Sequence, residues 1–146
     1  MKNENHYAPR LLAAATIKPM DLKESECEKI RLVAAILERD FKYHYTHRQL
    51  ASKVGTNESK LRVRFKQIYN CTIHEYITAF RIGKVKDLLL TTDWTLQTIA
   101  AHTGFKNSSL LIRNFKKSTK LTPLEWKTEK KTDSAISQTD STISRL

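Results

Sequence analysis

Lysine and arginine carry donors suited to phosphate oxygens, and the planar fork of arginine also matches the O6 and N7 edge of guanine. This sequence places 18 of its 26 basic residues between positions 42 and 131, with six acids among them, so that segment is net +12. Residues 1–41 hold seven of each sign, and residues 132–146 are net −1. A positive field confined to one segment is the pattern expected of a polyanion-binding surface, because release of phosphate counterions supplies much of nonspecific affinity. A lysine-rich face kept for solubility would give the same charge. Motifs have to separate the two.

Other chemistries find little to work with. Cys27 and Cys71 are isolated, without a Cys-x-x-Cys pair or a histidine at ligand spacing, so no metal site is expected. There is no Walker glycine loop, no His-Glu-x-x-His and no pair of carboxylates in an apolar setting. Enzymatic activity and a cofactor are therefore not expected. A methyl-accepting repair function would need clustered cysteines, and a transposase or recombinase core would not fit in 146 residues. No run approaches the roughly 18 apolar residues of a membrane span. The N-terminal apolar stretch is only Leu11–Ala15, interrupted upstream by Lys2, Glu4 and Arg10, which does not fit a secretion signal. A cytoplasmic, nucleoid-associated location is expected, with no membrane partner.

The basic segment must be held by helices. Only three glycines occur, and apolar spacings of three and four recur from Glu26 onward, which predicts an all-α fold. Ile30, Val33 and Leu37 form a stripe on a first helix over about 26–39, with Ser25 placed to cap it. Residues 1–24 and 132–146 lack a clear apolar period and are expected to be mobile and disordered, respectively.

An internal repeat organises the rest. Leu50-Ala51-Ser52-Lys53-Val54-Gly55 aligns with Ile99-Ala100-Ala101-His102-Thr103-Gly104 at an offset of 49. Beyond the glycine the offset is 50: Leu61 with Leu111, Phe65-Lys66 with Phe115-Lys116, and Thr72 to Tyr76 with Thr122 to Trp126. One extra residue in the second turn accounts for the slip. Each copy reads as helix, glycine turn, helix, over 46–69 and 95–119. Thr46 and Thr95 are placed to cap the short helices, Gly55 and Gly104 to supply a positive φ, and Asn57 or Thr56 and Asn107 or Ser108 to cap the second helices. This is helix-turn-helix logic, in homeodomain-like units. A linker helix over 74–91, with Tyr76, Ile77, Phe80, Val85, Leu88 and Leu89 facing inward, is expected to join the two subdomains rigidly. A final helix follows Pro123, over 123–130.

At this point residues 25–131 resemble the DNA-binding domain of the AraC/XylS family of bacterial transcription regulators. The resemblance rests on Leu96-x-x-Ile99-Ala100-x-x-x-Gly104-Phe105, Arg113-x-Phe115-Lys116-Lys117 and Thr122-Pro123-x-Glu125-Trp126. It implies a sequence-specific regulator whose two recognition helices, about 57–69 and 108–119, lie in major grooves of double-stranded DNA. Base contacts are then expected from Ser59, Arg62 and Val63 in the first unit and from Ser108, Ser109, Leu110, Ile112 and Arg113 in the second. Arg113 is the foremost candidate, since a bidentate guanine contact is worth about 1–3 kcal/mol of discrimination. Lys60, Arg64, Lys66, Arg81, Lys106, Lys116 and Lys117 are expected at phosphates.

The sequence departs from the family at Asn70 and Lys120, where glycine is usual, and at Trp126, where tyrosine is usual. The length resembles short, single-domain members that act as monomers on asymmetric sites, with RNA polymerase as a candidate partner. The competing reading is a protein-interaction or partner-dependent accessory module with only nonspecific DNA affinity. Leu110, Leu111 and Ile112 are apolar for a recognition helix, and one or two of them must pack inward, leaving Arg113 outward.

Overall fold

The computed structural model describes residues 23–143. Among these there are seven helices and no strand: α1 (Glu24–Arg39), α2 (His47–Val54), α3 (Glu58–Tyr69), α4 (Ile73–Thr91), α5 (Leu96–Thr103), α6 (Ser108–Thr119) and α7 (Pro123–Ile143). The chain divides into two units, ending and beginning at Gly83 and Lys84 within α4. The N-terminal segment expected to be mobile lies outside the described residues.

In the first unit α1 packs on both α2 and α3, and α2 packs on α3. Val33, Leu50, Leu61 and Phe65 are completely buried at the centre, with Ile30, Leu37, Ala51 and Tyr76 around them. Ala51 is 2% exposed, and its small side chain lets helix backbones approach. The rings of Phe65, Tyr69 and Tyr76 meet at 4.7–5.3 Å, in geometries that add to simple area burial. The Tyr76 hydroxyl donates to Glu38 of α1. Burial and that carboxylate together raise the phenol well above its ordinary range.

In the second unit α5 packs on α6 and α6 on α7. Ile99, Leu111 and Phe115 are completely buried, and Trp126 meets Phe115 edge-on at 5.8 Å. Trp126 thus serves as the expected core aromatic. Thr103, where the first unit has Val54, is also completely buried, and its hydroxyl donates to the Ile99 carbonyl at 2.7 Å.

The start of α1 differs from expectation. Lys23 occupies the N-cap and gives no side-chain cap, because the helix begins one residue before Ser25. The other end of the chain differs too. The final helix extends past 130 to Ile143, through the segment expected to be disordered. Residues 129–137 are exposed, so this stretch is held by its own helical bonds, and the Thr128, Thr132 and Ser137 hydroxyls donate to carbonyls four residues back.

Candidate nucleic-acid interface

The turns that aim α3 and α6 are built from the residues the repeat singled out. Thr46 accepts from the Gln49 amide while the Gln49 side chain accepts from the Thr46 amide, a reciprocal cap for α2. Thr95 caps α5 through the Thr98 amide. Gly55 and Gly104 take φ values of 70° and 81°, where a side chain would be strained. Asn57 then caps α3 and Asn107 caps α6, each accepting at 2.8 Å from the amide three residues on. The glycine-to-cap spacing is two residues in the first unit and three in the second. Phe105, which follows Gly104 as Thr56 follows Gly55, turns inward and is 7% exposed.

A helix advances by about 100° per residue, so Ser59, Val63 and Lys66 lie roughly 140–160° around α3 from buried Leu61. The same directions on α6, measured from buried Leu111, hold Ser109, Arg113 and Lys116. All six are exposed. Arg62 is exposed as well, whereas Ile112, its counterpart on α6, is half-buried, as are Ser108 and Leu110. Of the consecutive Leu110, Leu111 and Ile112 in α6, Leu111 is the one buried completely, which leaves Arg113 directed outward.

Arg113 makes no hydrogen bond or salt bridge among the described residues. The acid that could have neutralised it, Glu125, is engaged elsewhere: it accepts from the Thr122 amide and hydroxyl, both at 2.8 Å, capping α7. Those bonds hold its carboxyl below the ordinary range, the backbone amide foremost. Lys66, Lys106, Lys116 and Lys117 are exposed.

Three of the expected phosphate ligands are occupied. Arg81 is 6% exposed; its Nε donates to the Phe41 carbonyl at 2.7 Å and its guanidinium to the Tyr43 carbonyl at 3.2 Å. It is a buried strut between α4 and the loop after α1, with donors already engaged by two carbonyls, which differs from the sequence expectation of an exposed phosphate contact. Burial also lowers its affinity for the proton. Lys60 and Arg64 remain at the surface of α3 but face α1, where both pair with Glu26.

Sequence reasoning passed over Arg48 and Ser52 of α2. With Ser59 and Arg62 of α3 they line an open depression that also includes Glu58 and the Asn57 cap. The missed signal was spacing: Arg48 and Ser52 are four apart on one helical face beside the turn. A repeat-related contact was also passed over. Lys53 sits 5.4 Å from the Tyr45 ring, and at the same repeat offset His102 lies 4.6 Å from Trp94. Each covers the start of its helix-turn-helix.

The helix-turn-helix domain family matches residues 50–129, more than half of the chain. The chain belongs to the AraC/XylS family. An HTH-type transcriptional regulator of Bacillus subtilis, YtdP, is 29% identical over 96 residues, which is 66% of this chain and 12% of that protein. The C-terminal domain of the two-component response regulator YesN from Fusobacterium nucleatum is 28% identical, with a TM-score of 0.62 over 66% of this chain and 95% of that one. The DNA-binding domain of AdpA, solved with a target DNA, shares the fold at 17% identity and a TM-score of 0.64, over 68% of this chain and 90% of that one. The chain therefore spans only a small part of full-length family members such as YtdP, while it matches nearly all of the isolated AraC-type domains. Among the described residues no helix is long and apolar enough to cross a membrane.

Proposed function

We propose that this AraC-type chain is a sequence-specific regulator of transcription that binds duplex DNA as a monomer in the cytoplasm, each unit presenting its second helix to a major groove. The observation that carries the reading is the matched outward face of α3 and α6. Two helices of one repeat, capped and turned alike, expose Ser59, Val63 and Lys66 in one unit and Ser109, Arg113 and Lys116 in the other. Arg113 and Arg62 read guanine, Ser59, Ser108 and Ser109 accept or donate at adjacent base edges, and Val63 and Ile112 meet thymine methyls. Lys66, Lys106, Lys116 and Lys117 hold phosphates, joined by Arg48 from α2. Contact with RNA polymerase would fall outside these faces. The DNA complex formed by the AdpA domain, which has the same fold, supports the reading.

The test is a titration of the chain into labelled duplexes tiling promoter DNA, across a salt series, beside Arg113→Ala. Tight binding to one fragment, weakening steeply with salt and losing selectivity in the variant, is the expected result. Equal, weak binding to every fragment would instead favour an accessory role with nonspecific affinity.

A further inference from the structure

Lys60 and Arg64 are the two cations on one flank of α3. They lie about 100° and 60° around the helix from Leu61, both on the side facing α1. Glu26 of α1 meets them there: its Oε1 pairs with the Lys60 ammonium, and its Oε2 lies 3.7 Å from Arg64 Nε. The carboxylate side chain is only 19% exposed, against 46% for Lys60 and 27% for Arg64. Lys29 closes the same small cleft, donating from Nζ to the Gly55 carbonyl at 3.1 Å. Among the described residues nothing equivalent is found on α6, where the corresponding flank positions hold Leu110 and Asn114 and the Asn114 amide donates to its own helix at the Leu110 carbonyl. The arrangement is therefore not a general requirement of the helix-turn-helix. It places one anion, supplied by the chain itself, on two flank cations of α3: Lys60, and Arg64, which also donates to Gln67 of its own helix at 3.0 Å.

We propose that Glu26 is a built-in competitor for DNA phosphate, which keeps Lys60 and Arg64 off the DNA backbone and so holds down affinity for any duplex, leaving discrimination to the outward face of α3. The inference rests on the DNA-binding reading above. Both cations sit on stems long enough to swing from the flank of the helix toward a strand, and in the parent chain the carboxylate holds them back from it across the range of about 50–200 mM salt. Glu26 is thus a positioning residue for the interface without touching DNA.

The experiment compares the full chain with Glu26→Gln on one specific and one unrelated duplex between 50 and 200 mM salt. Each phosphate contact contributes about 0.9 to the slope of log affinity against log salt, which is about threefold in affinity over that range. Freeing one or both cations steepens the slope by about 1–2 on both duplexes. The affinity gain of Glu26→Gln over the parent chain then shrinks about three- to tenfold from 50 to 200 mM. Lys60→Gln is placed in both backgrounds: it leaves the slope of the parent chain unchanged and removes about half of the gain in Glu26→Gln. Circular dichroism melts confirm that each variant is folded. Parallel slopes for the parent chain and a folded Glu26→Gln, or weaker binding by the variant, would overturn the proposal while leaving the DNA-binding reading intact. Loss of slope on Lys60→Gln in the parent chain would overturn it as well, since Lys60 would then already be on the DNA. If neither protein binds duplex at 50 mM salt, the DNA-binding reading falls and the proposal falls with it.

Discussion

Replacing Arg81 by methionine separates a structural arginine from a DNA-binding one. Methionine keeps most of the apolar stem but removes both donors, to the Phe41 carbonyl at 2.7 Å and the Tyr43 carbonyl at 3.2 Å. Hydrogen bonds from charged donors are worth about 1.5–3 kcal/mol each. The sum is reduced because removing the guanidinium also relieves its desolvation, and because Tyr43 is exposed, so water can reach the longer bond's acceptor. A net loss of about 2–4 kcal/mol follows, which is a large part of the total stability of a small domain. At about 4–8 °C per kcal/mol, the melting midpoint should fall by on the order of 15 °C. Urea unfolding gives the loss directly, and DNA titration of the folded variant below its midpoint should show the parent salt slope. An unchanged urea midpoint together with a slope reduced by about 1 would refute the reasoning, because Arg81 would then be a phosphate ligand.

Other consequences are open to simple measurement. Lys120 takes φ 70° at the end of α6, so Lys120→Gly should raise stability by up to about 1 kcal/mol, and Asn70→Gly, at φ 53°, by less because asparagine tolerates that region; paired denaturant melts would show the order. Tyr76→Phe leaves Glu38 without its hydroxyl donor and should cost on the order of 1 kcal/mol at pH 7. Asp40 accepts from Arg39 and from the Tyr45 hydroxyl, and these bonds, Arg39 foremost, hold its carboxyl well below the ordinary range. A depressed folded-state value means that the stabilisation is present above the unfolded-state value near 4 and is lost as the pH falls below it. Asp40→Asn should therefore melt lower than the parent at pH 7, with the gap narrowing as the pH falls from about 4 toward 2; a gap as wide at pH 2 as at pH 7 would contradict the pairing.

The local parts of this fold could be read from spacing because they depend on residues a few positions apart. The Thr46, Thr95, Asn57 and Asn107 caps and the positive φ of Gly55 and Gly104 all lie within one turn of chain. The one-residue slip in the repeat surfaces as the longer path from Gly104 to Asn107. The inward place of Phe115 and the outward direction of Arg113 were legible in the repeat, whereas which of Leu110, Leu111 and Ile112 is buried is settled only in the fold, where it is Leu111.

The interactions that sequence did not reveal join residues far apart in the chain. Arg81 looks like any other cation of the basic segment until the fold brings it to carbonyls about 40 positions earlier. Lys60 and Arg64 read as phosphate ligands until α1 sets Glu26 beside them, and the value of each depends on a partner that no helical period predicts. The extension of α7 was hidden for a different reason. Threonine and serine are poor helix formers by rank, but here their hydroxyls are satisfied by the helix's own carbonyls.

The central claim is that α3 and α6 both read base sequence. Its most direct test is selection of bound duplexes from a random pool by the chain and by Arg113→Ala, followed by sequencing. Two separate blocks of base preference are expected, with Arg113→Ala erasing a guanine preference in one block and leaving the other intact. A pool that shows no enriched sequence, or a preference that Arg113→Ala does not alter, would contradict the account.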